Sequence, residues 1–196
     1  MARTTLRELN GFDSTPASLK DSTLLLVDYQ NTYTAGVMEL DGWEPALDAA
    51  ADLLARARQA GATVIHIVND GGEGTPYDVR AEIGSIHPKV APIEGEATVV
   101  KTAPNAYVGT ELGELVEKAG HDDVVIAGFM TNMCVQFTTE GTFLAGKKPT
   151  VVADASATRP LESGIAPVSA QQLHESALAT IGDLYGVVVK TAADLG

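Results

Sequence analysis

Three residues of this chain carry side chains that together can cleave a carbonyl compound: Asp28, Lys101 and Cys134. Cys134 is the only cysteine. It falls in the first turn of a predicted helix, after an apolar run and the turn Gly128-Phe129-Met130-Thr131-Asn132-Met133. A helix N-terminus favours a thiolate through the macrodipole and its free N–H groups. A thiol also needs a base within hydrogen-bond reach, and Asp28, at the end of Leu24-Leu25-Leu26-Val27, can serve. A carboxylate beside sulfur repels the thiolate. Lys101, after Val99-Val100, offsets that repulsion and keeps the carboxylate ionised. The N–H groups at the start of the Cys134 helix can bind a developing oxyanion. Taken singly, each residue also has a plain reading: a buried free cysteine, a strand-end aspartate bonding turn amides, a solvated lysine.

The elements that must gather these residues are legible as two alternating patterns. Short β-rich apolar runs lie at 23–27, 63–68, 98–100, 124–127, 150–153 and 187–189. Between them, helical spacing runs over 46–60, 112–119, 135–145 and 169–185, with Gly61, Gly120, Gly146 and Gly186 as stops. Strands alternating with helices mean βαβ units and a parallel sheet. The expected fold is α/β: a three-layer α/β/α sandwich around a six-stranded parallel sheet, Rossmann-like. In such sheets the ligand sits beyond the carboxyl ends of the strands. Asp28, Lys101 and the Cys134 turn all fall there. Residues 1–20 read as an irregular arm on the surface or against a partner subunit, and 21–196 as a single domain.

Composition narrows the function. Lys and Arg number 13 against 26 Asp and Glu, a net charge of −13 over 196 residues. So acidic a surface repels phosphate backbones and anionic membranes, so neither nucleic acid nor membrane is an expected partner. No apolar run reaches the roughly 18–20 residues of a membrane span. Met1-Ala2-Arg3-Thr4-Thr5-Leu6 lacks the apolar core of a signal peptide, and a lone thiol suits a reducing compartment, so a cytoplasmic location is expected.

The order of three segments carries a family likeness. Leu26-Val27-Asp28-Tyr29-Gln30 with Tyr33, Val100-Lys101 with Asn105-Ala106-Tyr107, and Gly128 through Val135 resemble the isochorismatase-like cysteine hydrolases. That family includes nicotinamidases and carbamoyl-amide hydrolases. Weaker matches are Asp154-Ala155-Ser156-Ala157 and His174-Glu175-Ser176-Ala177-Leu178. The resemblance implies a catalytic triad of Asp28, Lys101 and Cys134, and a non-proline cis peptide between Phe129 and Met130. It also implies an oxyanion hole from the Met130 and Cys134 amides, and substrate contacts at Tyr33, Asn105, Tyr107 and Thr131. The implied activity is hydrolysis of a carbon–nitrogen bond in a small amide, carbamate or ureido compound, through a Cys134 thioester and without a cofactor. A homo-oligomer, dimer or larger, is expected, with 164–168 as one interface element.

Two alternatives stand beside this reading. One family branch lacks the cysteine and cleaves the vinyl ether of isochorismate with water; Cys134 argues against it. A catalytically idle, ligand-binding paralogue is the other, and the presence of all three triad residues argues against that. Nicotinamidases of the family hold a metal with an Asp and two His after the first strand. Residues 33–43 contain Asp41 but no His, so no metal is expected. His174 reads as a capping or interface histidine. Asp70-Gly71-Gly72-Glu73-Gly74 reads as a flexible turn at the pocket rim. Arg80, Lys89 and Arg159 are the candidates for an anionic substrate. Trp43 and Phe137 are weaker pocket candidates, with core packing favoured for Phe137.

Overall fold

The computed structural model describes residues 4–196. Its helices are α1 (Leu6–Leu9), α2 (Trp43–Ala60), α3 (Leu112–Ala119), α4 (Gln136–Leu144) and α5 (Ala170–Thr180). Its strands are β1 (Ser22–Val27), β2 (Thr63–Asn69), β3 (Ala97–Lys101), β4 (Asp123–Gly128), β5 (Lys148–Val152), β6 (Leu161–Glu162), β7 (Pro167–Val168) and β8 (Val187–Val189). Six of them form one all-parallel sheet in the order β3-β2-β1-β4-β5-β8. β6 and β7 make a small antiparallel hairpin that period and propensity did not announce; two residues a side are too short to show alternation.

Layering follows from the strand period of two. Leu24 and Leu26 face one side of the sheet, where they meet Leu47, Leu53 and Leu54 of α2. Leu25 and Val27 face the other, with Ile65, Ile67 and Val99, against Leu112 and Val116 of α3 and Ile181. Every residue of β1 is buried, as expected for a strand with helices over both faces. Burying a Leu or Ile side chain contributes roughly 1.5–3 kcal/mol, so these two layers dominate the stability.

Helix ends depart from expectation in two places. The stretch expected to be helical from 135 opens with a wide π turn, Thr131–Val135, and becomes α-helical only at Gln136. α5 stops at Thr180 and passes into a second π turn, Ile181–Tyr185. Gly186 is extended there, not a left-handed cap; a Cβ on it would sit 2.8 Å from the Pro149 carbonyl oxygen, so close packing demands the glycine. The arm is also more ordered than expected. Thr5 and Glu8 cap each other around α1, and the Leu6 N–H donates to Asp183 Oδ1 at 3.1 Å. Arg7 donates to the Leu184 carbonyl, which ties the arm to its own domain. Residues 1–3 of the arm lie outside the described residues.

Candidate active site

β1 delivers Asp28. Its N–H donates to the Ile67 carbonyl, and its own carbonyl accepts from Gln30 N. Asp28 takes φ of +53°, a left-handed conformation that Asp tolerates better than most residues. Gln30 locks the neighbouring strand end, donating to the Asn69 and Gly84 carbonyls and accepting from Asn69 N.

β3 delivers Lys101. Val99 and Lys101 share the inward face of this edge strand, while Val100 points out. Lys101 therefore occupies a core register position, with its side chain fully buried. Its Nζ lies 2.7 Å from Asp28 Oδ2, 3.3 Å from Cys134 Sγ and 3.4 Å from Asn69 Oδ1. The Asp28 carboxylate also lies within electrostatic range of the Cys134 thiol. Asn69 is a site residue that the sequence reading passed over, although it ends β2 on the same rim.

β4 delivers the Cys134 loop. Val27 pairs with Gly128, and Phe129 N donates to the Val27 carbonyl. A Cβ on Gly128, at φ +159°, would lie 2.1 Å from the Val27 carbonyl oxygen, so no other residue fits. The Phe129–Met130 peptide bond is cis. Thr131 N donates to the Ala157 carbonyl, and Met133 N and Val135 N both donate to the Met130 carbonyl. The Met130 N–H donates to no acceptor among the described residues.

Burial governs the electrostatics. It pushes the Cys134 thiol up to about 12; the Asp28 charge adds to that rise and Lys101 opposes it. Desolvation and the adjacent carboxylate prevail over any pull of the helix N-terminus, and Cys134 rests as a thiol. Burial also raises the Asp28 carboxyl, against the pull of Lys101. Burial lowers Lys101, but Asp28 and Cys134 outweigh it and leave the ammonium above its ordinary value.

Of the expected pocket residues, Tyr33 lies at the site. It is fully buried, edge-on to Phe129 and Tyr77, and within the field of Asp28 and Cys134. Asn105 and Tyr107 make their contacts along α4. The chain after β3 turns down along α4, where Ala106 N donates to Thr138 Oγ1. Asn105 packs on Gly141, and the Tyr107 hydroxyl faces Thr142. Those positions lie seven and eight residues past Cys134, roughly 10 Å along the helix. Thr131 is fully buried, with its hydroxyl spent on His174 Nδ1 at 2.8 Å. His174 does not cap α5; it is half-buried, and α5 brings it onto the Cys134 loop.

Arg80 is held by Asp70 and Asp78, which ties the 70–80 loop together, and Lys89 pairs with Asp48. Arg159 has no carboxylate partner among the described residues, and it lies within electrostatic range of Tyr77, which also senses Cys134 and Asp28. Tyr77 had no signal in the sequence. Phe137 is 38% exposed, not core, because α4 turns that face outward; Trp43 rests against His87.

The model of the isochorismatase domain matches residues 22–193. The chain belongs to the isochorismatase family. Within that family it is 31% identical over 186 residues to the secreted isochorismatase effector Isc1 of Verticillium dahliae, covering 94% of this chain and 96% of that one. It is 32% identical over 173 residues to a streptothricin hydrolase of Streptomyces noursei, covering 87% and 69%. A crystal structure of an isochorismatase from Pseudomonas putida KT2440 superposes with a TM-score of 0.95 at 34% identity, over 100% of both chains. Isochorismatase-family members are hydrolases, and amidohydrolases are among them. The Verticillium relative is named as secreted, so membership does not fix a compartment. No helix among the described residues is long and apolar enough to cross a membrane.

Proposed function

We propose that this chain is a cysteine hydrolase that cleaves the carbon–nitrogen bond of a small amide, carbamate or ureido compound. The observation that carries this reading is the buried contact of Lys101 Nζ with both Asp28 Oδ2 and Cys134 Sγ. Because the thiol rests protonated, Asp28 takes its proton as sulfur attacks the carbonyl carbon. The carbonyl electron pair moves to oxygen, held by the Met130 and Cys134 N–H groups. Asp28 returns the proton to nitrogen, the carbon–nitrogen bond breaks, and ammonia or an amine leaves. Water, deprotonated by Asp28, then attacks the thioester, releasing the acid and restoring the thiol. Lys101 stays an ammonium throughout and balances whichever partner carries the negative charge.

Arg159 supports a substrate with a carboxylate near the scissile group. It is the one cation of the three candidates left without an acidic partner among the described residues, in a chain rich in acids. A relative of 28% identity, the maleamate amidohydrolase of Pseudomonas putida, is named for a substrate of that kind.

The test is a screen for ammonia release from small amides, carbamates and ureido acids, with and without a carboxylate. Turnover by wild type that vanishes in Cys134→Ala is the expected result. A Cys134→Ala protein that keeps hydrolysing, with a vinyl ether as its substrate, would overturn the thioester route.

A further inference from the structure

His174 has no part in the chemistry just described, yet it makes the one side-chain hydrogen bond that the buried Thr131 hydroxyl forms among the described residues. Thr131 follows Met130, whose N–H is unspent, and it is 0% exposed, so bulk solvent does not reach its hydroxyl. The rest of the loop is held by backbone contacts: Phe129 N to Val27, Thr131 N to Ala157, and Met133 N and Val135 N to Met130. Thr158 adds a bond to Asn132 Oδ1 at 2.6 Å. These fix the loop on the sheet side and on the helix side. Among the described residues, the side-chain anchor from α5 is His174, and Ser169 and Gln172 cap that helix start and hold the histidine in place.

We propose that His174 is a positioning residue for the oxyanion-binding loop: through Thr131 it aims the Met130 N–H at the site of the developing negative charge. This rests on the hydrolase reading above. The hydroxyl, with no other acceptor among the described residues, donates to Nδ1, and the proton of the imidazole then sits on Nε2. His174 borders a crevice on the reverse side of the loop, of about 390 Å³ and lined also by Asp41, Asp154 and Gln171. His174 reaches the donor only through Thr131, its sequence neighbour, so its effect is one of aim. Losing an oxyanion donor outright costs roughly 100–1,000-fold in rate, and a misaimed one costs less, about 10-fold or somewhat more.

The experiment uses His174→Leu, His174→Asn, Thr131→Val and the Leu/Val double variant, with two readouts. The first is kcat and KM on the best amide. The second is the affinity for carbonyl-labelled [13C]acetaldehyde, measured by NMR. Its thiohemiacetal forms when Cys134 sulfur bonds the carbonyl carbon and the thiol proton passes through Asp28 to the carbonyl oxygen. That adduct places oxygen on the same N–H without requiring turnover. The expected result is about a 10-fold loss of kcat and of adduct affinity in His174→Leu and in Thr131→Val, with KM little changed. The double variant should be no worse than either single one, since the two residues act as a unit. The Asn variant offers Thr131 a polar group at the Nδ1 position and should restore most of the loss. Adduct affinity and kcat unchanged in His174→Leu, even with a lowered melting temperature, would overturn the proposal and leave a structural histidine. If wild type turns over no amide but forms the adduct, the hydrolase reading fails while the adduct series still decides on His174. If wild type forms no adduct and turns over no amide, there is no oxyanion site to aim and both fall.

Discussion

Replacing Asp28 by Asn should make Cys134 more acidic while abolishing hydrolysis. Two charges act on one sulfur. Lys101 Nζ is 3.3 Å from Sγ; at an effective dielectric of about 20, an ammonium at that range is worth ~5 kcal/mol to a thiolate. The Asp28 charge opposes it, and burial carries the thiol up to about 12. The neutral amide of the Asp28→Asn variant removes the repulsion and leaves the ammonium. Even if the unpaired lysine keeps only half its hold, the thiol gains on the order of 2–3 kcal/mol of acidity, about a hundredfold. The thiolate then pairs with Lys101 in place of the lost carboxylate. The assay is thiolate absorbance in the far ultraviolet against pH, with Cys134→Ser as the blank; a single cysteine makes the signal unambiguous. Lys101→Met should move the same titration the other way. A thiol in Asp28→Asn that titrates with or above wild type would refute the account of the site as two opposed charges on a buried sulfur.

Three other perturbations follow from the structure. Burial pushes the Glu96 carboxyl up, but the Arg58 fork, the Ile93 amide and His66 outweigh that and hold it at about 2. The associated stability, up to about 3 kcal/mol, is complete above the unfolded carboxyl's value of 4.5 and disappears as pH falls through about 2. Urea unfolding of wild type and Glu96→Gln should therefore differ at neutral pH and converge in acid; a gap that persists in acid would show another cause. Gly128→Ala drives a methyl to 2.1 Å from the Val27 carbonyl and should cost about 3 kcal/mol, read as a lowered urea midpoint. Tyr107→Phe should leave kcat and KM unchanged, because that hydroxyl faces Thr142 on α4; a raised KM would put Tyr107 back at the substrate.

What the sequence disclosed, and what it withheld, divides by range. Each strand of the main sheet was legible because its apolar run is local, and the helices of both layers because their spacing is local. Asp28, Lys101 and Cys134 were found by one rule, that ligands lie past the carboxyl ends of strands, and β3 alternation even accounts for a buried lysine at the inward register. Asn69 obeys the same rule and was missed only because an amide draws less attention than a charge. The packing of Asn105 and Tyr107 along α4 was hidden because the path after β3 is set by Thr138, a contact from a helix more than thirty residues on. His174 was misread for the same reason: nothing within α5 reveals that it docks over Thr131. Phe137 went wrong through the π turn, which rotates α4 relative to a helix begun at 135.

The strand order has a consequence for how the chain is made. β1 is synthesised first but lies in the middle of the sheet, between β2 and β4. β2 is available soon after, whereas the partner for its other edge, Asp123–Gly128, is encoded about a hundred residues later. At ~5–20 residues per second, a ribosome needs about 5–20 s to supply it. For that interval the row Leu24-Leu25-Leu26-Val27 stands with one edge open, a template for any other extended chain nearby. The strand that ends at Asp28 is therefore the segment of the nascent protein most in need of a chaperone.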